Sequence, residues 1–121
     1  MKNEKLTADE YDAMIEVARG LKVGEKVSAC IGRNTKRLAG IKMFSIAHNG
    51  RISLTEKGMQ ALFLRRCIQG LRAVAAGADA KLDTEVAVFL GKKGHIVSTD
   101  DGHTITEKGR ESLADIDAQG L

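Results

Sequence analysis

The hydrophobic positions near the start of the chain follow the three- and four-residue spacing of a helix. Thr7 and Glu10 have the spacing of a capping box, so a first helix is predicted to begin near Ala8 and to stop at Gly20. The apolar positions of this helix are Tyr11, Met14, Ile15, Ala18 and Leu21.

Glycine divides the pattern that follows. A short second helix is predicted over about residues 25–31, and Gly32 is expected to interrupt it. Asn34 is then expected to cap a further short helix, which ends at Gly40.

Between residues 42 and 54 the pattern changes to one typical of a β-hairpin. The Asn49-Gly50 pair favours a tight turn, and residues 51–54 alternate between polar and apolar as a returning strand does. The first strand is predicted from three apolar residues, Met43, Phe44 and Ile46.

A long helix is predicted to follow this hairpin, from a cap at Thr55 to about Ala76. Its apolar positions cover more than one stripe, which indicates contacts on two sides. The helix is therefore expected to lie between two units of the chain or between two copies of it. The apolar positions are Met59, Leu62, Phe63, Leu64, Cys67, Ile68, Leu71, Val74 and Ala75.

The second half repeats this order of elements in shorter form. A helix is predicted around residues 82–90, with a stop at Gly94, and a hairpin is predicted around the turn at residues 100–102. A last helix is expected from Glu107 to about Ile116.

An internal repeat of about 50 residues explains this similarity. The string Leu54-Thr55-Glu56-Lys57-Gly58 returns as Ile105-Thr106-Glu107-Lys108-Gly109, and each copy closes a longer matching stretch that begins at Leu38 or Leu90. The second copy is one residue shorter, in the part between its turn glycine and its threonine. The repeat predicts two related units in tandem.

The net charge of +3 conceals a strong segregation of charge along the chain. Residues 1–18 have a net charge of −3, and residues 19–51 have eight basic residues against one acidic residue, a net of +7. Residues 52–78 add +3, whereas residues 79–121 have a net charge of −4. The basic block favours a polyanionic partner through Coulomb attraction and counterion release.

Several classes of function are not expected from the residue types present. Cys30 and Cys67 have no neighbouring ligand and are expected to be buried, reduced thiols, and the scattered histidines His48, His95 and His103 do not have the spacing of a metal site. No cofactor and no small-molecule ligand are expected. The chain also lacks a nucleophile motif and a phosphate-binding glycine loop, so an enzyme is not expected.

A cytoplasmic protein without membrane contact is predicted. The first ten residues are polar and charged, unlike a signal peptide, and no apolar run approaches the ~20 residues of a membrane span.

The order of helices, strand, turn, strand and closing Leu-Thr-Glu-Lys-Gly resembles the winged helix-turn-helix family of bacterial and phage regulators. Leu38-Ala39-Gly40-Ile41 resembles the end of the family's recognition helix, and residues 43–54 resemble its wing. Between Leu21 and Met43 the chain is several residues short of a full helix-turn-helix, which implies either a truncated helix or two helices fused into one.

The resemblance implies an α+β, mainly helical fold with tandem winged-helix-like units, each with a hairpin wing, joined by a long central helix. The expected organisation is a basic unit over residues 1–58, a central linking helix over residues 59–78 and a shorter, acidic unit over residues 79–121.

The resemblance also implies binding of double-stranded DNA, as in a transcriptional regulator. Arginine and asparagine suit guanine and adenine edges, whereas threonine and lysine suit phosphates. The residues assigned to DNA are Arg33, Asn34, Thr35, Lys36 and Arg37 on the recognition helix, and Lys42, His48, Asn49 and Arg51 on or near the wing. Four or five phosphate contacts predict a slope of log affinity against log salt near −4, from the ~0.9 expected per phosphate. A homodimer that pairs through the central helix is a further expectation.

Two alternatives remain open at this point. The scaffold could serve as a protein–protein interaction module, an adaptor or an inhibitor, with the basic residues forming an ordinary solvated face. A binder of single-stranded RNA is less favoured, because aromatic residues for base stacking make up only 3% of the chain.

Overall fold

The computed structural model describes residues 5–20, 27–77 and 80–119 of the chain, which form five helices and two antiparallel hairpins. The fold is α+β and mainly helical, as the sequence predicts. The elements in chain order are α1 (Ala8–Ala18), α2 (Ala29–Gly40), β1 (Phe44–Ile46), β2 (Ile52–Leu54), α3 (Glu56–Ala76), α4 (Thr84–Lys92), β3 (Ile96–Thr99), β4 (Gly102–Ile105) and α5 (Glu107–Gln119).

The chain divides into two compact units, Met1–Leu62 and Phe63–Leu121. The boundary falls within α3, so the segment predicted as a separate linking helix, residues 59–78, is divided between the two units. None of the helices in the described residues combines the length and the apolarity that a membrane crossing requires.

The predicted start of α1 is confirmed. The side chain of Thr7 accepts the backbone N–H of Glu10 at 3.1 Å, and the Glu10 carboxylate accepts the backbone N–H of Thr7 at 2.9 Å. This complete capping box satisfies two of the backbone donors that the first turn of a helix leaves without partners.

The prediction that Gly32 separates two short helices is wrong. α2 is one continuous helix that begins after Ser28, whose Oγ accepts the backbone N–H of Ile31 at 3.2 Å and donates to the Glu16 carboxylate at 2.7 Å. A glycine inside a helix costs only about 1 kcal/mol relative to alanine, which burial of Ile31 and Leu38 offsets. The predicted helical segment before residue 27 lies outside the described residues.

The two hairpins differ in loop length, so the residue that the second repeat lacks lies in the hairpin loop and not, as the sequence comparison placed it, between the turn glycine and the threonine. In the first, the Gly50 N–H donates to the Ala47 carbonyl at 2.8 Å and the Ala47 N–H donates to the Arg51 carbonyl at 2.9 Å, around a three-residue loop. In the second, Thr99 pairs directly with Gly102, so only two residues connect the strands.

Each unit has its own hydrophobic core, and the first helices of the two units bury residues at the same spacing. The buried positions are Glu10, Ala13, Met14 and Val17 in α1, and Cys67, Gly70, Leu71 and Val74 in the part of α3 that belongs to the second unit. The first core consists of Ala13, Met14, Val17, Ile31, Leu38, Met43 and Phe44, and the second consists of Cys67, Leu71, Val74, Val86, Leu90, Ile96 and Ile105.

The repeated Thr-Glu-Lys-Gly string forms a hairpin–helix junction in the first unit. The Thr55 hydroxyl donates to the carbonyl of Lys42 at 2.6 Å and accepts the backbone N–H of Gly58 at 3.0 Å. The backbone N–H of Thr55 donates to the Met43 carbonyl at 3.0 Å. Thr55 therefore caps α3 and ties it to the start of the hairpin.

The second unit contains the same junction. The Thr106 hydroxyl donates to the Gly94 carbonyl at 2.6 Å and accepts the backbone N–H of Gly109 at 3.0 Å, and the Thr106 N–H donates to the His95 carbonyl at 3.0 Å. The repeated sequence thus forms the same hydrogen bonds in both units, and both threonines cap the helix that follows them.

The two units differ in the residue that follows their second helices. Lys42 and Gly94 occupy the same position and both adopt left-handed backbone conformations, with φ of 65° and 74°. The ends of α2 and α4 are closed by matching bonds, from the Met43 N–H to the Leu38 carbonyl at 2.8 Å and from the His95 N–H to the Leu90 carbonyl at 3.0 Å. Glycine adopts this conformation freely, whereas a lysine there costs about 1–2 kcal/mol.

The junction predicts a large difference between two glycine-to-alanine substitutions in the same unit. A Cβ at Gly58 would lie 2.5 Å from the Met43 carbonyl oxygen, so Gly58→Ala should destabilise the unit by about 1–3 kcal/mol. Gly32→Ala is the matched control, because a Cβ there meets nothing within 4 Å and should stabilise α2 by roughly 0.5–1 kcal/mol. Urea unfolding followed by circular dichroism measures both, and equal effects would contradict the role of the junction.

Candidate nucleic-acid interface

Two of the residues assigned to DNA, Arg33 and Asn34, contact a carboxylate of α1. The Arg33 guanidinium donates from Nε to Asp9 Oδ2 at 2.8 Å and from Nη2 to Asp9 Oδ1 at 2.7 Å. The Asn34 amide donates to Asp9 Oδ2 at 2.7 Å and to the Cys30 carbonyl at 2.8 Å. The side chains expected to read base edges therefore have partners within the unit.

A third assigned residue, Arg37, pairs with the one buried charged residue among the described residues. Its Nε donates to the carboxylate of Glu10, whose exposed fraction is only 4%. Burial alone would raise the pKa of Glu10, but hydrogen bonds from the Thr7 backbone and from Arg37 outweigh burial and hold the pKa below its ordinary value. Thr7 and Arg37 thus both donate to the Glu10 side chain and favour its ionised form.

The remaining assigned residues are divided between local structure and solvent. The Thr35 hydroxyl donates to the Ile31 carbonyl at 2.6 Å, within its own helix. The Asn49 side chain accepts the backbone N–H of Arg51 at 3.0 Å and so belongs to the hairpin turn. The exposed basic residues are Lys36, Lys42, His48 and Arg51, whose side chains form no hydrogen bond or ion pair with any residue that the structure describes.

The contact between α1 and α2 was not predicted from the sequence, where Glu10 was interpreted only as part of a capping box. A signal was present, because Glu10 lies three, four and seven residues before Ala13, Met14 and Val17, on the apolar face of α1. A buried acidic residue on such a face requires a partner that pairs with its charge or forms hydrogen bonds with it.

Both cysteines are free thiols, as predicted, but only Cys67 is fully buried and Cys30 is half-buried. Burial raises the pKa of each thiol, and for Cys30 the neighbouring Asp9 carboxylate raises the pKa further. Neither environment produces the thiolate that a reactive cysteine requires.

The second unit has apolar side chains where the first unit has its polar and basic ones. Aligning the units on the matching C-terminal ends of α2 and α4 places Lys36, Arg37 and Ser45 at the positions of Val88, Phe89 and Val97. Phe89 packs against the second core and meets Phe63 edge to face, with ring centroids 5.5 Å apart. The unpaired cations of α2 and its hairpin therefore have no counterparts at the same positions of the second unit.

Searches against protein-family models, curated proteins and solved structures find no match to this chain.

The Glu10–Arg37 pair predicts a pH-dependent change in stability. Arg37→Met leaves the buried carboxylate with one hydrogen-bond partner, so at pH 7 the free energy of unfolding should fall by about 1–3 kcal/mol. In the wild-type chain the lowered pKa of Glu10 stabilises the fold above the ordinary value of 4.5, and this contribution is lost as the pH falls through the lowered pKa.

Without Arg37, the pKa of Glu10 rises from its wild-type position because the contributions of the guanidinium that lower it are lost, so protonation destabilises the variant less than the wild type. The stability difference between wild type and Arg37→Met should therefore shrink between pH 7 and about pH 3. Lys36→Met, a change of the exposed neighbour, is the control and should leave the profile unchanged. A difference that stays constant across this range would contradict the role of the pair.

Proposed function

We propose that this chain is a small winged-helix-like protein that binds duplex DNA through its first unit, as a bacterial or phage transcriptional regulator does. The proposal is carried by three exposed cations: Lys36 on α2, Lys42 in the turn that follows α2, and Arg51 beside the start of β2. They belong to the segment with a net charge of +7, and none is neutralised by a described acidic side chain.

The arrangement of elements supports the winged-helix interpretation. The first unit has the order helix, helix, hairpin, helix, and the second unit has the same order when α3 is counted as its first helix. In this interpretation α2 is the recognition helix and β1–β2 is the wing, so Lys36 lies on the first and Arg51 lies on the second.

The backbone of Lys42 is a further argument for a functional cation. Its left-handed conformation costs about 1–2 kcal/mol for a residue with a side chain. The second unit makes the same turn with Gly94, so the fold itself does not require a lysine there. A strained residue that the fold does not require favours a role for its side chain, and the role that suits an exposed ammonium group is phosphate binding.

The ion pairs of α2 change the expected mode of binding. Arg33, Asn34 and Arg37 serve the contact with α1, so base readout by these residues is not part of the proposal. Three phosphate contacts, from Lys36, Lys42 and Arg51, predict a salt slope near −2.7 at ~0.9 per phosphate, less steep than the −4 expected from the sequence. Binding by so few contacts is weak, and we include a symmetric dimer in the proposal for this reason.

Simultaneous substitution of Lys36, Lys42 and Arg51 by glutamine should abolish most of the affinity for a random 20-base-pair duplex. The wild-type slope of about −2.7 should fall toward zero, because the contacts that release counterions are gone. Fluorescence anisotropy between 50 and 300 mM salt measures both quantities, and size-exclusion chromatography of the same samples reports the oligomeric state.

The matched control removes the same charge from the second unit, through glutamine at the exposed residues Lys81, Lys92 and Arg110. This variant should keep the wild-type slope to within about 0.5, since its residues make no phosphate contact in the proposal. Equal losses in the two variants would show that only net charge matters, and no wild-type binding at 50 mM salt would contradict the proposal outright.

A protein–protein interaction module is the second candidate, and the second unit provides the observation that favours it. Val88 and Val97 are 49% and 53% exposed at positions where the first unit has Lys36 and Ser45. Exposed valines at such positions favour a protein surface over nucleic acid. If the wild-type chain does not bind DNA, this candidate becomes the preferred one.

A further inference from the structure

The Asp9 carboxylate occupies the side of the Arg33 guanidinium that would otherwise bind a phosphate. Two parallel N–H···O bonds, at 2.8 and 2.7 Å, join the two groups. Arginine holds carboxylates and phosphates in this same two-bond arrangement. Asp9 of α1 therefore takes the place that a DNA phosphate would occupy against Arg33. The Asn34 amide also donates to Asp9 Oδ2, at 2.7 Å.

The contact is accessible to a competing anion. The side chains of Arg33 and Asp9 are 57% and 43% exposed, so water screens their attraction and the pair stabilises the fold little. Glu10 is different, since it is buried and also bonded to Thr7. Of the two α1 carboxylates that pair with an arginine, only Asp9 can give up its arginine without leaving a buried charge.

The charge of Asp9 is permanent under ordinary conditions. Hydrogen bonds from Arg33 and then from Asn34 hold the pKa of this carboxyl far below its usual range. Mild acid therefore does not release the guanidinium, and only a competing anion or a substitution can do so.

We propose that Asp9 limits the DNA affinity of the first unit by holding Arg33 in a contact that a DNA phosphate must displace. The inference builds on the proposed function, since it concerns the strength of binding at the same surface. When Asp9 is neutral, Arg33 becomes a fourth phosphate contact and the carboxylate no longer repels the DNA backbone. Asp9 is a positioning residue in this account and does not itself touch DNA.

The test is Asp9→Asn in the full chain, with a random 20-base-pair duplex across a salt series. One additional phosphate contact should steepen the slope by about 0.9 and raise affinity up to about eightfold at 0.1 M salt. The double variant Asp9→Asn with Arg33→Gln should return to the wild-type slope, because the released guanidinium is then absent.

Asp12→Asn is the matched control. Asp12 lies on the exposed side of the same helix, and its side chain forms no bond with any residue within the described ranges. Its neutralisation changes net charge by the same amount without releasing an arginine, so its effect should be about twofold or less, with an unchanged slope.

The outcomes separate this inference from the proposed function. If the wild-type chain binds and Asp9→Asn behaves like the wild type or like Asp12→Asn, the inference is wrong and the proposed function stands. If no variant binds, the proposed function fails and the inference with it. Asp9→Ser checks that the result does not depend on the asparagine side chain. Unfolding of both Asp9 variants would also contradict the inference, since it requires this exposed pair to be dispensable for folding.

Discussion

Two carboxylates of α1 pair with two arginines of α2, and these ion pairs determine which basic residues of the first unit are unpaired. Glu10 is buried and requires a cation, which Arg37 supplies. Its neighbour Asp9 binds Arg33, which lies one helical turn before Arg37 on α2. These contacts join two helices whose apolar faces already meet in the first core. They also pair two of the three cations of α2, which leaves Lys36 as the unpaired cation of this helix.

The two units show the same backbone scheme with different side chains in the corresponding places. The hydrogen bonds of Thr55 and Thr106 match bond for bond, and both second helices end in the same way. In contrast, the Glu10–Arg37 pair has Cys67 and Phe89 at the corresponding positions, in a contact made by apolar packing. The scaffold therefore tolerates either an ion pair or an apolar contact between its first two helices.

Features fixed by local chemistry were predictable from the sequence. The capping box at Thr7, the helix that follows Thr55 and both hairpins depend on residues within a few positions of one another, and each was predicted close to its observed place.

Features that depend on contacts distant in sequence were not predictable in the same way. Gly32 did not break α2, because burial of Ile31 and Leu38 outweighs the weak preference of one glycine. The partners of Arg33 and Arg37 lie 24 and 27 residues away, and sequence spacing alone does not identify them. As a result, charge composition overestimated how many of the basic residues in the first unit are unpaired.

The most direct test of the proposal that the first unit binds duplex DNA is amide chemical-shift mapping of the wild-type chain. A ¹⁵N-labelled sample titrated with a short duplex at low salt should show its largest perturbations between residues 36 and 51, with small changes at residues 84–119. Perturbations concentrated in the second unit, or none at all at saturating duplex, would contradict the assignment of the first unit as a DNA-binding surface.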